Sequence, residues 1–117
     1  MENTLAIAAL GALAQTTRLE TFRALVRHEP EGIPAGELAR MLDVPQNTMS
    51  SHLATLSRAG LVKSERQSRS VIYRADLDGL RELTLFLLKD CCGGSTELCA
   101  PLIAELTPCC TPEVQLS

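Results

Sequence analysis

Residues 35–60 read AGELARMLDVPQNTMSSHLATLSRAG. Ala35 to Leu42 predicts a short helix with Leu38, Met41 and Leu42 turned inward. Asp43-Val44-Pro45 predicts a tight turn, because proline cannot continue a helix from behind and its ring drives the preceding residue out of helical geometry. A second helix is expected from about Gln46 to Ala59, stopped at Gly60, a residue favoured just past a helix end. Met49, Leu53 and Leu56 share one face of that helix, while Asn47, Ser51, Ala54 and Arg58 point the opposite way, flanked by Thr48, Ser50 and Thr55. The outward face is small, polar and hydrogen-bonding. Such side chains can approach base edges closely, whereas a face made only for solvation usually carries Glu and Lys. Two short helices joined by so brief a turn match helix-turn-helix spacing.

Beyond Gly60, Leu61 to Arg66 and Ser70 to Arg74 are strand-like runs joined at Gln67-Ser68-Arg69. A hairpin directly behind a recognition helix is the wing of a winged helix. Arg66 and Arg69 near its tip are placed to reach phosphate or an adjacent minor groove. The residues expected to meet double-stranded DNA are therefore Gln46, Asn47, Thr48, Ser50, Ser51, Thr55, Arg58, Arg66 and Arg69. A spare hairpin on a helical domain is the weaker reading, because helix, turn, polar helix, glycine and basic hairpin occur in one order.

On either side lie helices with too much apolar surface. Residues 3–14 are rich in Ala and Leu with little polar surface, and Thr17 to His28 is amphipathic through Leu19, Phe22, Leu25 and Val26. Asp76 can cap a last helix over about residues 77–92. There Leu77, Leu80, Leu83 and Leu87 lie near one face, with Leu85, Phe86 and Leu88 spilling around the side. Few elements remain to cover the first and last helices, so a homodimer through both is expected. The expected fold class is mainly α with a small β-hairpin (α+β). A winged helix-turn-helix DNA-binding and dimerisation domain would occupy residues 1–92, and a cysteine-containing tail residues 93–117.

The charge distribution agrees. The chain of 117 residues has a net charge of −3, yet residues 40–74 carry six basic and two acidic side chains between acidic flanks. A basic middle of this kind suits a duplex-reading module, against the blander alternative of a solvated face. Apolar residues make up 45% of the chain and charged ones 21%, which places it with globular rather than disordered proteins. No apolar run approaches the ~20 residues that span a bilayer, so no membrane partner is expected. Met1 to Ala12 carries Glu2 and no Lys or Arg, unlike the start of a secretory signal, and a cytoplasmic protein is expected.

The order of parts resembles the ArsR/SmtB family of winged-helix metal- and metalloid-responsive repressors. The likeness is carried by Ala12 to Leu19, Gly36 to Ala39, Gln46 to Leu53 and Leu56 to Val62. It implies a homodimeric repressor that holds an operator when empty and releases it when an ion or metalloid binds. Two familiar sites of that family do not carry over. Arsenic-responsive members with a Cys-x-Cys pair in the first helix of the helix-turn-helix differ from this chain, where Gly36 to Met41 has no thiol. Members that bind zinc through histidines on the last helix also differ, since His28 and His52 both lie elsewhere. The chain is similar instead to members whose thiols cluster at the end of the last helix.

All five cysteines, Cys91, Cys92, Cys99, Cys109 and Cys110, follow residue 90. A reducing cytosol disfavours structural disulfides, and an odd count cannot pair completely. Adjacent helical residues point ~100° apart, so Cys91 and Cys92 can face one atom only where the helix loosens, and Gly93-Gly94 supplies that freedom. Cys99 can fold back to complete an S₃ pocket. Soft thiolates in threes suit As(III) or Sb(III) as inducer. Zn(II) or Cd(II) is the alternative ion, zinc wanting a fourth ligand that Cys109 or Cys110 could supply as accessory donors. A redox-sensing use of the same thiols is the other reading. Against catalysis, Cys91 and Cys92 sit at a helix C-terminus beside Asp90, where the dipole raises a thiol's pKa. With no Cys-x-x-Cys, no Ser/His/Asp arrangement and no phosphate-cradling loop, an enzyme is not expected.

Overall fold

Residues 1–88 are described by a computed structural model, in the order α1 (Asn3–Leu13), α2 (Thr16–Arg27), β1 (Ile33–Pro34), α3 (Ala35–Leu42), α4 (Gln46–Arg58), β2 (Val62–Gln67), β3 (Ser70–Ala75) and α5 (Leu77–Leu88). The five cysteines, the thiol pocket expected of them, the boundary expected at residue 92 and the last turn expected of α5 lie outside the described residues. Met1–Leu83 form one unit and Thr84–Ser117 a second, and the winged helix-turn-helix falls wholly within the first.

The centre of that unit is the inward stripe of α4. Met49, Leu53 and Leu56 are fully buried, together with Leu25 of α2, Leu38 of α3 and Leu61 behind α4. Truncating any of these leucines to alanine would cost about 2–5 kcal/mol. Thr21 is the one buried polar side chain among the described residues; its hydroxyl donates to the Thr17 carbonyl at 2.7 Å and lies 3.7 Å from the Met49 sulfur.

Both helices of the helix-turn-helix end in hydrogen-bonded reversals. At the end of α3 Asp43 adopts a left-handed conformation (φ 57°), and the amide of Val44 donates back to the Ala39 carbonyl at 3.0 Å. Aspartate tolerates this region better than most residues with a Cβ. At the end of α4 Gly60 takes φ 80°, and the amides of Gly60 and Leu61 donate to the carbonyls of Ser57 and Leu56, each at 3.0 Å. That pair of bonds is a Schellman motif, and both Leu56 and Leu61 are buried.

Several inward assignments shift by a fraction of a turn. Met41 is 43% exposed, and Ala39 is buried beside Leu38 instead, because α3 turns its narrowest side to the core. In α2 the buried set is Thr21, Phe22, Ala24 and Leu25, while Leu19 and Val26 flank it and are exposed. In α5 Leu83 is buried, whereas Leu77, Leu85 and Leu87 are exposed. α1 inverts the usual pattern. It buries Ala6, Ala9 and Ala12, which allow close approach, and turns Leu5, Ile7 and Leu10 outward.

The hairpin pairs from Val62↔Ala75 to Gln67↔Ser70, so its turn is only Ser68-Arg69. A third strand, absent from the sequence reading, is added by β1: Ile33 pairs with Tyr73 and Pro34 with Ile72, giving the order β1-β3-β2. Two residues are too few to show a period, and Pro34 suits an edge. No helix among the described residues is long and apolar enough to cross a membrane.

Asp76 caps α5 as expected, its carboxylate accepting from the Gly79 amide at 3.2 Å. Gly79 is needed for a second reason. A Cβ built there would stand 1.9 Å from the Gly60 carbonyl oxygen, so α5 lies directly on the end of α4. Gly79→Ala should therefore cost about 1–3 kcal/mol, as overpacking typically does. Urea unfolding should show a lower midpoint at unchanged slope; a midpoint at or above that of the wild type would contradict the close approach.

Candidate nucleic-acid interface

With Met49, Leu53 and Leu56 buried, α4 turns its other side outward. Gln46, Asn47, Thr48, Ser50, Ser51, Ala54 and Arg58 are all exposed. Thr55 is half-buried; its hydroxyl donates to the Ser51 carbonyl at 3.2 Å, and Arg58 reaches that hydroxyl at 3.5 Å. Arg58 is thus held along the helix rather than splayed from it. Pro45 opens α4 without a side-chain cap bond, which leaves first-turn amides beside Gln46 and Asn47 available to an anion.

The wing stands next to this face. Pro34, Ala35, Gly36, Gln46, Ser70, Val71 and Tyr73 line a groove of about 370 Å³ between the start of α3 and the hairpin. Arg66 pairs with Val71 in register, and Arg69 occupies the hairpin turn; both are exposed. The structure thus brings the residues from Gln46 to Arg58 together on one helix face and sets the two wing arginines on the adjoining hairpin.

Not every cation of the basic middle is available. Arg74 holds Glu29 through two bonds, Nη2 to Oε1 at 2.8 Å and Nε to Oε2 at 3.3 Å, and Glu65 through Nη1 at 2.9 Å. This clamp ties the α2–β1 connection to both strands of the wing. The Arg74 hydrogen bond lowers the Glu29 pKa, overriding burial, which acts the other way. The two carboxylates in turn push the Arg74 pKa upward. Arg40 pairs with Glu37 one turn earlier on α3. Among the described residues Arg58, Lys63, Arg66 and Arg69 make no ion pair, so the outward charge of the reading head is concentrated on them.

A further pair went unrecognised in the sequence. His52 is half-buried beside the stripe, with Nδ1 3.5 Å from Nη1 of Arg18 on α2. Burial first, and the Arg18 charge second, lower its pKa. Nothing in local periodicity signals a contact between residues so far apart in the chain.

Comparison with known proteins agrees with this geometry. A family model described as a helix-turn-helix domain matches residues 13–65. The transcriptional activator HlyU of Vibrio cholerae is 35% identical over 68 residues, covering 58% of this chain and 60% of HlyU, so less than two thirds of that protein is spanned. The nodulation protein NolR of Rhizobium meliloti is 30% identical over 88 residues, covering 75% of this chain and 69% of NolR. An ArsR-like transcriptional regulator from Rhodococcus sp. RHA1 superposes with a TM-score of 0.70 at 28% identity, over 83% of this chain and 89% of that one. The chain belongs to the ArsR family of winged helix-turn-helix transcriptional regulators. HlyU and the Rhodococcus protein are transcriptional regulators. The described part of this ArsR-family chain holds no group of three or more His, Cys, Asp or Glu side chains able to grip a metal ion.

The Glu29–Arg74 clamp gives the stability a definite pH dependence. The folded pKa of Glu29 lies below its ordinary value of 4.5, so the stabilisation is present above that value and is lost as pH falls through the folded one. Urea midpoints measured from neutral pH downward should place Glu29→Gln below the wild type, with the gap closing in acid. A gap that stays constant with pH would contradict the clamp.

Proposed function

We propose that the chain is a dimeric repressor that holds operator DNA when empty and lets go when As(III) or Sb(III) is captured by Cys91, Cys92 and Cys99. The observation that carries the DNA half is the exposed, small and polar face of α4 with Arg58, Arg66 and Arg69, which make no ion pair among the described residues. Two copies of α4 would enter successive major grooves of a near-palindrome, with half-sites about 10–10.5 base pairs apart or a multiple of that. Asn47, Ser50, Ser51 and their neighbours Gln46, Thr48 and Thr55 would meet base edges or phosphate, and the arginines the phosphate backbone.

Dimerisation is supported by α1. An isolated helix that hides alanines and turns Leu5, Ile7 and Leu10 to water leaves its most apolar surface uncovered, and a second copy is the simplest cover. The exposed Leu77, Leu85 and Leu87 of α5 ask for the same.

The inducer half rests on the chemistry of the thiols. Three soft sulfurs suit a trivalent metalloid, and binding itself drives the protons off, so no preformed thiolate is needed. Capture by thiols that follow α5 in sequence, with α5 in the dimer interface, would alter the relative pose of the two heads. Couplings of this kind are typically about 1–3 kcal/mol, or 5- to 150-fold in operator affinity.

The test is a gel shift with genomic promoter fragments, with and without arsenite, followed by anisotropy on a retained fragment. The empty protein should bind with a steep salt dependence, and arsenite should release it. Cys91→Ser and Cys92→Ser should bind as the wild type does and ignore arsenite. Retention of the fragment at saturating arsenite, or release of the serine variants, would overturn the inducer assignment. Release by zinc or cadmium alone would move the site to a divalent ion.

A further inference from the structure

The start of α2 holds an arrangement that helix formation does not explain. Arg18 lies in the first turn, where the positive end of the helix dipole disfavours a cation, and no acidic residue accompanies it there. Its backbone amide is taken up by the Gln15 cap at 2.8 Å, so the residue is firmly seated. The guanidinium is used elsewhere. Nε donates to the Ala12 carbonyl at 2.6 Å, and Nη1 lies 3.5 Å from Nδ1 of His52.

Each end of that bridge has a chemical reason. Ala12 is buried in the last turn of α1, where carbonyls lack helical partners and the dipole is negative, so a cation is welcome. At the other end arginine is only ever a donor, so Nδ1 of His52 must be the bare, accepting nitrogen and the ring proton must sit on Nε2. Burial and then the Arg18 charge disfavour a second proton, and Arg18 is the charged side chain whose field bears on this ring. His52 lies between Ser51 of the outward face and Leu53 of the buried stripe, so whatever fixes the ring also fixes the rotation of α4.

We infer that Arg18 is a positioning residue for DNA reading: by bridging the Ala12 carbonyl in the last turn of α1 to His52, it holds the reading helix in one pose against α1. The role rests on α4 being the element that enters DNA. Arg18 itself does not touch the duplex; it acts through His52. A planar guanidinium reaches both partners at once from fixed directions, which a lysine ammonium does not reproduce.

The experiment has two independent arms on the full chain. In the absence of DNA, long-range ¹H–¹⁵N spectra should show His52 protonated at Nε2 alone at neutral pH. In Arg18→Met the titration midpoint of His52 should rise toward the ordinary histidine value and the single-tautomer signature should fade. In the second arm, anisotropy on a retained promoter fragment should find Arg18→Met weakened about 5- to 20-fold, a size common for couplings within one contact network. His52→Gln should be weakened likewise, and the double variant no more than the worse single. The salt slope should stay at the wild-type value, whereas a lost phosphate contact would lower it by about one. Arg18→Lys should fail to rescue. Circular dichroism is the check that each variant folds, and His52→Gln, which keeps the Arg18–Ala12 bond, serves if Arg18→Met does not fold.

Additive losses, a reduced salt slope, or full affinity in the folded variants would overturn the assignment. So would a wild-type His52 that titrates normally. If the wild type retained no duplex, DNA reading itself would fall and the positioning role with it, even with the tautomer arm as expected. The two failures are thereby told apart.

Discussion

The orientation of one helix decides what this molecule can do. Met49, Leu53 and Leu56 are buried without residue, and they occupy one side of α4 at helical spacing. Rotating α4 by even a quarter turn would expose that stripe and carry Asn47, Ser51 and Arg58 toward the core. Hydrophobic burial thus specifies a polar surface that it does not itself contain. The surrounding devices serve the same end: the reversal at Asp43 sets where α4 begins, the one at Gly60 sets where it stops, and Gly79 lets α5 close over that stop.

Electrostatics then sorts the arginines into two groups. Arg74 and Arg40 are neutralised by carboxylates of the same molecule, and Arg74 anchors the wing to the α2–β1 connection. Arg58, Arg66 and Arg69 keep their charge for whatever approaches the reading face. A net negative chain can therefore present a positive head. The acidic remainder limits indiscriminate attraction to polyanions, and specificity is left to short-range contacts.

Much of this was legible in the sequence because it is local. The α3–turn–α4 unit, the stop at Gly60, the cap at Asp76 and the hairpin each depend on residues within a few positions of one another. What escaped was non-local. β1 exists only because β3 lies beside it, so Ile33-Pro34 carries no signal of its own. Met41, Leu19 and Val26 fit an inward period, yet neighbouring alanines and Thr21 fill the narrow gaps between helices better. The pairing of Arg74 with Glu29, and of Arg18 with His52, joins residues 45 and 34 positions apart. Composition counted all of these arginines as equal, and only tertiary contacts separate them. The thiols, by contrast, were read from sequence chemistry alone and belong to the proposal.

The central claim is that the face of α4 opposite its buried stripe, with the wing arginines beside it, is what enters duplex DNA. Titrating ¹⁵N-labelled protein with a promoter fragment that it retains tests this most directly. The account predicts that the amides of Asn47, Ser50, Ser51 and Arg58, with those of Arg66 and Arg69, shift or broaden together at the first additions, while those of Leu5, Ile7 and Leu10 do not. Perturbations confined to α1 and the outer side of α2, with α4 and the wing unmoved, would contradict it.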